Sequence, residues 1–242
     1  MSEATLPVFM VHGFNYDPQA TTRDNPFNYT FPLWEKMIGR PARYPHAWFS
    51  VPLTARNIWR AWRAGRWNRY RYAWDLAGDE AININPPDPC DMVCHSLGTR
   101  VVLTALLTRA LPVRRVLLLN GAEYASRGLA VARRRPDIEF FNIVVPGDDV
   151  LNTLGRFAPG FGGAFVGNAG VKDAPANWRD IRLDNPRVKA WAFNRGYTPV
   201  GHNLAGDSPR KVGDHWFTFE NRGNWPLYRA ILAGEDLGDL PR

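Results

Sequence analysis

The chain has 242 residues, enough for one α/β domain with a large core, and its hydrophobic and charged fractions are those of a globular protein. A formal charge of +7 favours acidic or anionic partners but names none of them. No apolar run approaches the length of a membrane span, and Met1-Ser2-Glu3-Ala4 shows no signal-peptide pattern, which together read as a cytoplasmic chain.

In chain order, Pro7-Val8-Phe9-Met10-Val11 is a continuous apolar run, as expected of a strand buried on both faces. It ends at His12-Gly13-Phe14-Asn15. Residues 31–38 predict a short helix stopped by Gly39 and Pro41, and residues 46–51 a second strand. Residues 56–74 carry six arginines and four tryptophans. Trp67, Tyr70 and Trp74 recur at helical spacing to about Ala81, which predicts a helix packed on the core with arginines in solvent. The same segment suits peripheral contact with an anionic membrane. Basic charge and aromatic residues alone are too little to expect nucleic-acid binding.

Cys90 and Cys94 lie in one apolar run, where four residues of strand span about 13 Å, beyond the roughly 4.4–6.8 Å a disulfide allows. They read as buried strand residues in a reducing compartment. Residues 91–94 predict the central strand, followed without a break by a helical pattern over about 97–111, closed by Pro112. Ser96 stands at the corner. A serine on a tight strand-to-helix turn is held clear of its neighbours, beside the first free amide of the new helix. Small residues are needed on either side of it: Gly98 fits, and Cys94 stands where the G-x-S-x-G pattern has glycine. Residues 115–120 and 140–145 predict two more buried strands, and 180–183 a late one. Residues 154–170 mix glycine with phenylalanine and predict an apolar flap, bounded at about 152–176. A long loop is expected from 186 to 215, then a closing helix over 225–232 with Gly234 as its stop.

A serine hydroxyl needs a base within reach and an acid to orient that base. Asp148 is the first choice of acid, with Asp149 a rival one residue away and Glu123 a weaker one. His215 is the first choice of base and His202 its rival. The oxyanion donors would be the N–H groups of Leu97, which follows the nucleophile, and Phe14, reached through the turn at Gly13. His12 fixes its loop and His95 walls the site; both are candidate substrate contacts. No cysteine–histidine cluster has metal-ligand spacing, so neither metal nor cofactor is expected.

His12-Gly13-Phe14 after a first strand, Cys94-His95-Ser96-Leu97-Gly98, Gly147-Asp148-Asp149-Val150 and Asp214-His215 occur in the order Ser, acid, His across nearly the whole chain. In this the sequence resembles the α/β-hydrolase superfamily, serine esterase or lipase type. The resemblance implies a single α/β-hydrolase domain over 1–242, with a mainly parallel sheet covered by helices on both faces. It also implies hydrolysis of carboxylic esters, small or lipid-like, through an acyl-enzyme on Ser96. The alternative expectation is a non-catalytic protein of the same fold that binds membrane or anionic surfaces through its Arg/Trp-rich segment.

Overall fold

The computed structural model describes residues 6–40, 44–50, 59, 69–86, 89–157, 164–197 and 214–241. Among these, six strands form one all-parallel sheet: β1 (Val8–Val11), β2 (Tyr44–His46), β3 (Cys90–His95), β4 (Val113–Leu119), β5 (Glu139–Val144) and β6 (Trp178–Arg182). Their order is β2-β1-β3-β4-β5-β6. The chain therefore steps from β1 outward to β2, then returns to β3 on the other side of β1 and proceeds only that way. The crevice between the exits of β1 and β3 is the topological switch point, where open α/β sheets bind ligands.

Each central strand is apolar on both faces because helices cover both. Phe9, Val11, Met92, Cys94, Val116 and Leu118 enter one core; Val8, Met10, Val93, Leu117 and Leu119 enter the other. The first core is closed by α2 (Arg69–Glu80), α3 (Gly98–Thr108), α4 (Ala125–Arg134) and α6 (Val166–Ala169); α5 (Asp149–Phe157) follows β5 beside them. The second is closed by α1 (Thr30–Ile38), α7 (Pro186–Asn194), α8 (Phe217–Glu220) and α9 (Trp225–Ala233). Cys90 and Cys94 are free, buried and on one face of β3. Burial pushes both thiols up to about 12, so they remain protonated, unreactive packing groups. No helix among the described residues is long and apolar enough to cross a membrane.

Three expectations are corrected. The second strand is Tyr44–His46, ahead of the apolar stretch 47–51; residues 47–50 have no regular structure and are tied to the first loop, with Ser50 N donating to Tyr16 O. The expected loop after Pro186 opens with the nine-residue helix α7. Its start was legible: Asn185 caps it by accepting from Arg187 N, Pro186 takes the first turn, and Val188, Trp191 and Ala192 are buried at helical spacing. The second half of the Gly/Phe stretch is packed rather than free-standing. Phe165 and Val166 are buried, and a side chain on Gly167 would run into the Asn120–Gly121 backbone. Residues 158–163 of that stretch lie outside the described residues.

In the Arg/Trp-rich segment, α2 buries Ala73, Trp74 and Ala77 against the core, as a packing helix does. Trp59 is half exposed, and residues 51–58, 60–68 lie outside the described residues.

Two glycines bring β1 and α3 together around Ser96. A Cβ on Gly98 would stand 2.5 Å from the carbonyl oxygens of both Val11 and His12, and one on Gly13 would stand 2.6 Å from Ser96 Cβ. Backbone cannot yield as a flexible side chain can. Gly98→Ala is therefore expected to destabilise by about 1–3 kcal/mol. Urea denaturation of the variant checks this; an unchanged midpoint would contradict the close approach.

Candidate active site

β3 delivers Ser96 to the switch point. Its φ is +53°, a left-handed conformation that costs a serine energy, and it is held there from three sides. Ser96 N donates to Leu119 O (3.1 Å), while Ser96 O accepts from Thr99 N (3.0 Å) and Ala122 N (2.9 Å). The side chain is 1% exposed, and Oγ, though buried, has no hydrogen-bond partner. Native proteins rarely leave a buried hydroxyl unpaired, and those they do leave invite a functional reason. Leu97 N–H stands at the N-cap of α3, where no helical carbonyl precedes it.

Of the two aspartates after β5, the structure brings Asp148 into the site and leaves Asp149 exposed at the first turn of α5. Asp148 is fully buried and acts as the N-cap of that helix: Oδ1 accepts from Leu151 N (2.9 Å) and its carbonyl from Asn152 N (3.0 Å). The positive end of the helix favours the negative group there. Oδ2 faces His215 Nδ1 at 2.7 Å, with both side chains almost wholly buried. A carboxylate only accepts, so Nδ1 carries a proton; in a neutral ring that leaves the lone pair on Nε2, the tautomer a general base requires. His202 lies outside the described residues.

Asn120 is a site residue that the sequence reading did not identify. It directly follows β4 at φ +46°, is fully buried, and its Nδ2 donates to Asp148 Oδ2 at 2.5 Å. Asp148 thus receives three donors, and its Oδ2 is shared between His215 and Asn120. The signal available beforehand was slight: an asparagine closing an apolar strand, a residue type that tolerates left-handed backbone. Glu123, two residues past Gly121, does not join this group. Its buried carboxylate pairs with Arg100 (2.9 Å) and Arg127 (3.5 Å) and accepts from Tyr124 N. Burial pushes it above the usual carboxylate range, with Arg100 opposing.

His12 and His95 are buried at the loop ends rather than displayed to solvent. His12 Nε2 accepts from Trp48 N (2.9 Å), its Nδ1–H donates to Gly13 O (2.9 Å), and its ring stacks on Trp48. Both nitrogens are committed, so it fixes the turn that carries Gly13 and Phe14. Phe14 is half-buried and packs its ring on Tyr70. His95 Nε2 faces the carbonyl of His215 at 3.1 Å.

Burial takes His12 down from 6.5 to about 3, and takes His95 well below 6.5, reinforced by neighbouring His215. A histidine held neutral by the fold stabilises it fully above the unfolded value of about 6.5 and progressively less as pH falls toward the folded value. Stability should therefore fall from pH 6.5 toward 4, His12 adding a slope of up to about 1.4 kcal/mol per pH unit and His95 acting in the same direction. Urea midpoints measured across that range check it; a flat profile would mean that neither ring is neutral and buried.

Comparison with family models, with curated proteins and with solved structures gives no match.

Proposed function

We propose that the protein is a serine hydrolase of the α/β-hydrolase fold that cleaves carboxylic esters, small or lipid-like, through an acyl-enzyme on Ser96. The observation that carries this is the buried Asp148–His215 pair, with the imidazole Nδ1 turned to the carboxylate, in the same molecule as a buried, unpaired serine hydroxyl on a left-handed corner. The chain order Ser, Asp, His and the parallel sheet with its switch point at Ser96 support the same reading.

In this mechanism an ester carbonyl enters beside Ser96, and the Ser96 hydroxyl turns toward His215 Nε2. Such bonds are often open before substrate binds. His215 takes the proton as Oγ forms a bond to the carbonyl carbon. Leu97 N–H and Phe14 N–H receive the resulting oxyanion, each donor worth about 2.7–4 kcal/mol. Asp148 steadies the imidazolium. The C–O bond to the alcohol then breaks, and His215 returns its proton to the leaving oxygen. Water, deprotonated by His215 in turn, releases the acid and restores Ser96.

The test is covalent labelling with a fluorophosphonate, with the adduct mapped by mass spectrometry, alongside hydrolysis of short p-nitrophenyl esters. Stoichiometric modification of Ser96 with turnover is expected. Neither labelling nor turnover would remove the reading and favour the alternative, a non-catalytic protein that binds anionic surfaces through residues 56–71.

A further inference from the structure

We infer that His95 is a positioning residue that tethers the main chain of His215, holding the base on the end of the strand that carries the nucleophile; this rests on the reading of His215 as that base. A carbonyl oxygen only accepts, so the 3.1 Å contact between His95 Nε2 and His215 O requires His95 to carry its proton on Nε2 and donate. His215 is then held at both ends, its ring by Asp148 and its backbone by His95.

The tether is rigid by construction. His95 is the last residue of β3, the residue before Ser96, and only 3% exposed. Its ring lies 4.7 Å, edge to face, from Phe219 and 4.6 Å from the ring of His215. Gly13 leaves the room: a Cβ there would come within 3.1 Å of His95 Nδ1. Nucleophile and base are thereby referenced to one strand, so a shift of the loop bearing His215 cannot occur without breaking a buried hydrogen bond. The ring-to-ring contact also demands a neutral His95, because a second cation beside the His215 imidazolium would oppose the first proton transfer. Burial supplies that neutrality.

Two variants separate the hydrogen bond from the packing. His95→Phe keeps an aromatic ring against Phe219 without a donor; His95→Gln returns an N–H near the position of Nε2. A misplacement of about 1 Å in a catalytic group costs on the order of 100-fold. Fluorophosphonate labelling and kcat should fall about 10- to 100-fold in His95→Phe with KM little changed, and His95→Gln should recover most of the loss. Thermal melts show whether both variants are folded. Wild-type rates in a folded His95→Phe would overturn the tether, as would equal losses in both variants.

A second readout does not depend on activity. Imidazole ¹⁵N shifts of the wild-type protein should show His95 as the neutral Nε2–H tautomer well below pH 6.5. The downfield proton of His215 Nδ1–H, bonded to Asp148, should broaden or vanish in His95→Phe and persist in His95→Gln. A His95 that titrates near 6.5, or a His215 resonance indifferent to His95→Phe, overturns the inference. If wild-type Ser96 is never labelled, the hydrolase reading falls, and these resonances still decide whether the tether exists.

Discussion

Ser96→Gly should abolish activity and raise stability together. On the proposed mechanism, loss of Ser96 removes the acyl-enzyme route, an expected fall of about 10⁴- to 10⁶-fold in kcat. The stability gain has two sources at the same atom set. Serine at φ +53° is strained by about 1–3 kcal/mol, and glycine adopts that backbone freely. The buried Oγ without a partner adds a desolvation cost of about 1–3 kcal/mol, which glycine also removes. Against these stands the extra freedom of glycine in the unfolded chain, about 0.4–1 kcal/mol. A net gain of at least about 1 kcal/mol remains, and each kcal/mol is worth roughly 2–4 °C in Tm for a chain of this size. Calorimetry and ester hydrolysis on the same preparation check both halves. A destabilised Ser96→Gly would mean that the corner is not strained, and an active one that Ser96 is not the nucleophile.

Asp148→Asn and Asp149→Asn should differ by about four orders of magnitude in kcat. Asp148 accepts from His215 Nδ1, Asn120 Nδ2 and Leu151 N, so it sits among donors only. An amide has one oxygen and two N–H groups to place there. One of its donors must therefore face another donor, or turn His215 to the tautomer whose Nε2 carries a proton and cannot act as base. Loss of the correct tautomer costs about 10⁴-fold in a Ser-His-Asp site. Asp149 is exposed in the first turn of α5 and makes none of these bonds. Its replacement should leave kcat within about threefold and cost only the helix-terminus charge effect, about 0.3–1 kcal/mol. Kinetics of the two variants settle the assignment. Equal losses, or a larger loss at Asp149, would reject Asp148 as the acid.

Much of the fold could be read from local pattern. Strands β1, β3, β4 and β5 are buried on both faces, and such strands announce themselves as unbroken apolar runs. The corner at Ser96 was legible because a strand run meets a helical period with no loop between them, beside Gly98. Helix α7 forms where a loop is expected, although Asn185-Pro186 and its buried triplet are local helix signals. Strand β2 was misplaced for another reason. It is a three-residue, half-buried edge strand, defined by its pairing with β1 and not by its own hydropathy.

The site divides the same way. Residue types and their order along the chain singled out Ser96, an acid at 148 or 149, and a late histidine. Choosing between adjacent aspartates was beyond them, because both are polar residues in one turn. Only the start of α5 decides which becomes the buried cap and which faces water. Asn120 and the tether from His95 to His215 were likewise out of reach. The first joins residues 28 positions apart, just past the ends of the neighbouring strands β4 and β5; the second joins residues 120 apart, one ending β3 and the other in the turn ahead of α8. Local sequence determines which segments are buried strands and where the backbone must turn tightly. Which polar groups meet at the strand ends is decided by the parallel stacking of the sheet, since a hydrogen bond between distant residues leaves no periodicity in either segment.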